Sequence, residues 1–377
     1  MEAWEKSRAW IELDMEHLRG NVRYFKRILP KNCILMPAVK ANAYGHGAIL
    51  VARVLQEEKI THFCVASVSE GIQLREAGIK GEILILGYTA PECFEKLQEY
   101  ALTQTIVDVR YGKLLADSGC RLLVQLGVDT GMHRLGEMWT NTDEMAELFA
   151  YRNLKITGVF SHLCTSDGIN KKEVEFTREQ IRRFHVVVEE LYAKGCRGFE
   201  THLQGSYGIL NYPDCICDCA RPGIALYGVL STDKDMTKTP FMTKPVLSLK
   251  TRVECVRTLS AGESAGYGLA YTAGRESRIA VLSIGYADGI PRELSGKGYV
   301  LIRGERAPIV GRICMDQMFV DITALQCSKQ VQMHEEAVLI GESEGAVLSA
   351  EQFAAFTGTI TNESLSRLGS RLNRMTC

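Results

Sequence analysis

The 377-residue sequence has no run of about eighteen apolar residues, so no segment has the make-up of a membrane-spanning helix. Its first residues, "MEAWEKSRAW", are charged and contain no apolar core of the kind a secretory leader carries. An excess of one charge is missing too. Against 45 acidic side chains stand 44 Lys and Arg, a formal net charge of −1, which argues against a dedicated nucleic-acid or polybasic membrane surface and favours a small, weakly charged ligand. Cysteine is plentiful at thirteen, but no two are spaced C-x-x-C and no H-x-x-x-H occurs, so neither a disulfide framework nor a zinc site is signalled. A reducing cytoplasm fits these thiols. The one dense group, Cys215, Cys217 and Cys219, has the period of a strand face and reads as core packing rather than as metal ligands. Internal repeats beyond β-α units and low-complexity tracts are likewise absent.

What is present is alternation. Eight short apolar runs, Ile34–Val39, Phe63–Val68, Ile83–Gly87, Thr105–Val109, Arg121–Leu126, Ile156–His162, Phe199–Leu203 and Gly223–Tyr227, are separated by segments such as "LRGNVRYFKRIL" and "KKEVEFTREQIRRFHVVVEELYAKG" with helical periodicity. Strand alternating with helix implies parallel strands joined by crossover helices, and eight units favour a closed (β/α)8 TIM barrel over an open sheet. After "STDKDMTKTPFMTKP" the texture becomes β-rich, in "VLSLKTRVECVRTL", "RIAVLSIGYADG", "GYVLIRG" and "RAPIVGRICMDQMFVDI". The fold class is therefore α/β: a barrel over residues 1–240 followed by a mainly β domain over 241–377, to which residues 8–14 add a strand.

Barrel active sites are assembled at the C-terminal ends of strands. "MPAVKANAYGHG" ends its apolar run at Lys40, an amine that apolar walls would hold neutral, with Tyr44 and His46 in the loop that follows. "VDTGMHRLG" brings Arg134 to another strand end, "GVFSHLCTSD" brings His162, and "ARPGIALYG" sets Arg221 beside Gly223, whose backbone can approach a phosphate. Taken singly, each has an ordinary structural reading: a solvated rim lysine, surface ion pairs, a hydrogen-bonded histidine.

Together these segments resemble the alanine racemase family over nearly the whole chain. "AVKANAYGHG" is a specific signature, and "VDTGMHRLG", "RPGIALYG", "GYG", "GYADG" and "GRICMD" follow in the family's order. The resemblance implies an N-terminal barrel, a C-terminal β-domain and a head-to-tail homodimer with shared active sites, carrying pyridoxal 5′-phosphate. It implies that Lys40 holds the cofactor as a Schiff base and serves one face of the substrate's α-carbon. Tyr267 from the second subunit serves the other, since racemisation needs proton donors on both faces. His162 and Arg221 poise that tyrosine, and Arg221 faces the pyridine nitrogen. Tyr44, Ser206, Gly223 and Ile224 match phosphate-binding positions, and Arg134 lies near the cofactor's phenolic oxygen. Met315 and Asp316 match positions at the substrate carboxylate and entrance, and Tyr286 the entrance tyrosine.

Three positions depart from the family pattern. Gly127 replaces a lysine that orients the arginine, and Gly205 replaces an asparagine before the phosphate-binding serine. Asn362 stands where a tyrosine reaches the cofactor phosphate and the substrate side chain. Losing that ring enlarges the pocket and adds an amide, which suits a hydroxymethyl side chain better than a methyl. The expectation is a serine racemase that retains alanine, similar to the serine racemases of vancomycin resistance, whose racemase portion is the cytoplasmic domain of a membrane protein. An ordinary alanine racemase supplying cell-wall D-alanine and a non-catalytic pyridoxal-phosphate-binding protein are the alternatives.

Overall fold

The computed structural model describes residues 8–377. The first seven residues, part of the segment read as leaderless and placed in the first domain, lie outside the described residues. Seven of the eight apolar runs, joined by Cys219–Ala220, form eight parallel strands in the order Ile34–Leu35, Cys219–Ala220, Glu200–His202, Leu154–Phe160, Leu122–Asp129, Thr103–Ile106, Glu82–Ile85 and His62–Val65. A parallel bridge from Ala38 to Cys64 joins the two ends of this sheet and closes the barrel. Ile83, Leu84 and Ile85 are wholly buried, as expected where both faces of a strand are covered.

The helices between them start where side chains satisfy free N–H groups. Asp14 accepts from His17 N ahead of Met15–Ile28, which turns Leu18, Val22 and Phe25 inward. Asn170 and Glu173 form a reciprocal capping box on Lys171–Ala193. No helix among the described residues is long and apolar enough to cross a membrane.

One strand assignment needs correcting. The eighth strand is Cys219–Ala220, and Ile224–Tyr227 is a 3-10 turn. Pro222 has no N–H to donate, so the ladder stops before the apolar run that composition alone marks as a strand. Cys215 and Cys217 precede that strand rather than sharing its face, although all three thiols are buried.

A second, largely antiparallel sheet is organised around Leu247–Leu259, a 13-residue strand that pairs with Ser277–Leu282, Glu336–Ser343 and Ala9–Leu13. A register shift between Val253 and Cys255 marks an irregularity within the segment paired with Ser277–Leu282. Ala9–Leu13 also pairs in parallel with Asn373–Thr376. Two contacts bring this region over the barrel mouth: Thr361 donates from N and Oγ1 to Ser231 O (2.8 and 3.0 Å), and Arg374 Nε donates to Gly45 O (2.8 Å).

Candidate active site

Lys40 opens a turn whose backbone is unusual. Ala41, Asn42, Ala43 and Tyr44 all have φ between 51° and 54°, a left-handed turn that costs an L-residue about 1–2 kcal/mol each. Specific partners hold it. Glu70 accepts from Ala41 N and Ala66 N, both at 2.7 Å, while Asn42 Oδ1 accepts from Ala48 N (2.8 Å). The His46 ring accounts for the carbonyls: Nδ1 lies 2.9 Å from Ala43 O and 3.0 Å from Tyr44 O. Arg374 takes the next carbonyl, that of Gly45. The strain is thus tied to the residue that introduces the amine.

Lys40 faces a cavity of about 440 Å³ at the C-terminal ends of the strands, lined also by Tyr44, Arg134, His162, Ser206, Arg221, Gly223, Ile224 and Asn362. Burial, reinforced by the positive charge of Arg134, lowers the Lys40 pKa from the ordinary lysine value. Burial pushes Tyr44 up to about 12, so its phenol stays a donor. His162 is pushed down to about 3 by the protein crowded around it and by Arg221, Arg134 and Lys40. Its ring still opens to solvent through the mouth, and it is neutral at physiological pH.

One end of the cavity is a cradle of donors. The N–H groups of Gly223 and Ala225 both donate to Ser206 Oγ, at 2.9 and 3.2 Å. A Cβ at residue 223 would stand 2.7 Å from Tyr44 Oη, so only glycine lets the phenol lie over this backbone. Arg221, buried, donates to His202 Nδ1 and, from Nη2, to Ser161 O (2.7 Å). Its side-chain partner is His202, which the sequence reading passed over, although His202 ends a barrel strand just as His162 does.

Arg134 makes no hydrogen bond or ion pair among the described residues. Its loop is shaped from below by Asp129, which accepts from Gly131 N (2.9 Å), His133 N (3.0 Å) and His133 Nδ1 (2.9 Å). Burial alone would raise the Asp129 pKa, but these three donors outweigh it and hold it low. A side chain at Gly127 would begin 3.2 Å from the Ile106 carbonyl. Asn362, on the helix Thr361–Ser366, enters from the second sheet region, and its Oδ1 accepts from Ser231 Oγ.

Tyr267, Tyr286, Met315 and Asp316 do not line the cavity. Tyr267 tips a 3-10 turn and is 70% exposed, Met315 is 52% and Tyr286 43% exposed. The last two are adjacent, since Tyr286 N donates to Cys314 O and Ala287 N to Met315 O (both 3.0 Å). Asp316 Oδ1 accepts from Arg371 Nη2 (2.7 Å).

Residues 13–231 match the family model "Alanine racemase, N-terminal domain" and residues 246–376 match "Alanine racemase, C-terminal domain". The chain belongs to the alanine racemase family. It is 39% identical over 370 residues to an alanine racemase of Carboxydothermus hydrogenoformans, covering 97% of this chain and 98% of that one. It is 40% identical to an amino-acid racemase of Enterococcus faecalis and 39% to a serine/alanine racemase of Enterococcus gallinarum, in each case over 97–98% of this chain. The chain spans about half the length of these two Enterococcus relatives (52% and 51%). The crystal structure of alanine racemase from E. faecalis superposes with a TM-score of 0.89 at 30% identity, over 100% of this chain and 99% of that one.

Alanine racemases depend on pyridoxal 5′-phosphate. The residues present fit that group: an amine of lowered pKa, a cradle of N–H and hydroxyl donors sized by Gly223, and an enclosed cation at the eighth strand end.

Proposed function

We propose that this chain is a pyridoxal-phosphate-dependent racemase that interconverts L- and D-serine and retains activity on alanine. The observation that carries this reading is the convergence of Lys40, the Ser206–Gly223 cradle and Arg221 on one cavity, with Asn362 at its side. Bound cofactor supplies an electron sink for the pair left behind when the substrate's α-proton departs. Lys40 would hold the cofactor through its amine, and that amine, of lowered pKa, would move a proton at one face of the substrate's α-carbon. Tyr44, Ser206, Gly223 and Ile224 hold the phosphate. Arg221, a buried cation unable to accept a proton, would disfavour protonation of a cofactor nitrogen held beside it.

The opposite face needs a second proton donor, and the outward phenol of Tyr267 suits delivery to the cavity of a second copy. Tyr267, Leu269, Tyr286 and Met315 are large apolar side chains left exposed, which supports a homodimer with shared sites. His162 then hydrogen-bonds that tyrosine, while Met315, Asp316 and Tyr286 shape the entrance. Arg134, which lines the same cavity, would help orient the cofactor and the substrate carboxylate.

Asn362 supports serine because its amide nitrogen is the group left for the pocket once Oδ1 is occupied by Ser231. The E. gallinarum relative, named a serine/alanine racemase, agrees with this reading. D-Amino acids made in this way would enter cell-wall precursors in the cytoplasm, as in vancomycin resistance. An ordinary alanine racemase is the second reading, favoured by full-length relatives of that name. Initial rates on L-serine and L-alanine, measured beside an Asn362→Tyr variant, separate the two. A serine preference that falls by about tenfold in the variant is expected. Alanine preference in both proteins overturns the serine assignment, and turnover of neither overturns the racemase.

A further inference from the structure

Arg221 is a buried cation with no carboxylate in contact among the described residues, and its hydrogen bonds continue away from the cavity, down the barrel axis. Arg221 Nη1 meets His202 Nδ1, His202 Nε2 lies 2.6 Å from Gln125 Oε1, and Gln125 Nε2 donates to Glu82 Oε1 at 2.7 Å. His202 and Gln125 are fully enclosed and Arg221 is buried at the cavity floor, whereas Glu82 sits at the start of its strand, at the opposite, N-terminal mouth. The path is built rather than incidental. A Cβ at Gly158 would stand 2.7 Å from Gln125 Cδ, so the glycine makes room for the amide, and Phe160 stacks on His202 with ring centroids 4.8 Å apart.

Counting protons gives the chain a direction. Guanidinium only donates, so His202 Nδ1 must be bare and its proton must sit on Nε2. That proton requires the carbonyl end of Gln125, which in turn sends the NH2 end to a group that accepts. Ionised Glu82 accepts only, so it fixes the amide's orientation from the far end. Were the amide reversed, its N–H would meet His202 Nε2, the ring proton would move to Nδ1, and two donors would face each other at Arg221.

We propose that Glu82, acting through Gln125 and His202, is a positioning residue for Arg221: the carboxylate at the far mouth selects the His202 tautomer that can hold the guanidinium in place. The functional part of this inference rests on the racemase reading, and the tautomer part does not.

The test is 15N NMR of histidine-labelled holoenzyme, with the His202 resonances assigned by difference from a His202→Asn variant. Native protein is expected to show His202 protonated on Nε2 alone. Glu82→Gln, which can donate as well as accept, is expected to give a mixture of tautomers, and Glu82→Lys, which only donates, the Nδ1-protonated form. The double variant Glu82→Gln, Gln125→Glu restores an acceptor beside His202 and is expected to return the native signature even if Glu82→Lys does not fold. In the racemisation assay kcat is expected to fall in step with the lost native tautomer. An unchanged His202 signature in Glu82→Gln, a native ring protonated on Nδ1, or a shifted tautomer with kcat unchanged overturns the proposal. If no amino acid is racemised by any of the proteins, the functional reading fails while the NMR result still decides the tautomer.

Discussion

Ser231 Oγ donates to Asn362 Oδ1 at 2.9 Å, which leaves the amide's NH2 end as the one the proposed serine substrate would meet. Ser231 is itself held at three points, accepting at its carbonyl from Thr361 N and Oγ1 and donating its own N–H to Tyr207 Oη (2.6 Å). Ser231→Ala removes the donor without altering the pocket's ring content. The serine-to-alanine ratio of kcat/KM is expected to drop about three- to tenfold, the scale of one hydrogen bond, with alanine turnover nearly unchanged. An unaltered ratio would remove Ser231 from the account of specificity.

Packing at the phosphate cradle gives a second prediction. Gly223→Ala pushes a methyl to within 2.7 Å of Tyr44 Oη, and overpacking on that scale is expected to weaken cofactor affinity about tenfold or more. On a Tyr44→Phe background the same change is expected to cost less, because the atom it strikes is gone. Equal losses on both backgrounds, read by titrating apo-protein with cofactor, would show that the clash is not what the glycine avoids.

Acid sensitivity follows from His46. Its ring is fully buried against Tyr227, with centroids 4.4 Å apart, and burial lowers its pKa to about 4. The fold therefore favours neutral imidazole. Its contribution is complete above the unfolded value near 6.5 and is lost as pH falls through that value toward about 4. At pH 5 the loss is about 2 kcal/mol. Denaturant melts at pH 7 and pH 5 should show this drop in native protein and a smaller one in His46→Gln. Equal drops would place the sensitivity elsewhere, with His202, which burial shifts in the same direction, the next group to test.

Much of the architecture is legible in the chain because buried parallel strands read as short apolar runs and their helices carry a periodic stripe. The eighth strand escaped for a physical reason: Ile224, Ala225 and Leu226 look like a strand, but Pro222 has already ended the ladder. Lys40, Arg134, His162 and Arg221 were visible because strand ends are where barrels place chemistry. The left-handed turn after Lys40 was not, since nothing in Ala41, Ala43 or Tyr44 predicts a positive φ. Glu70, His46 and Arg374, distant in sequence from one another, enforce it. Gln125 and Glu82 were hidden for a similar reason, because alternation along a strand says which residues face inward but not which of them are hydrogen-bonded together.

The central claim is that one copy's Lys40 and another copy's Tyr267 complete a single two-base site. Lys40→Ala and Tyr267→Phe proteins, each inactive alone, are mixed, exchanged and assayed for racemisation. Random pairing makes half the dimers mixed, each with one intact site, so about a quarter of native activity should return. No recovery from two folded variants that demonstrably exchange subunits would contradict the claim, as would substantial activity in Tyr267→Phe alone.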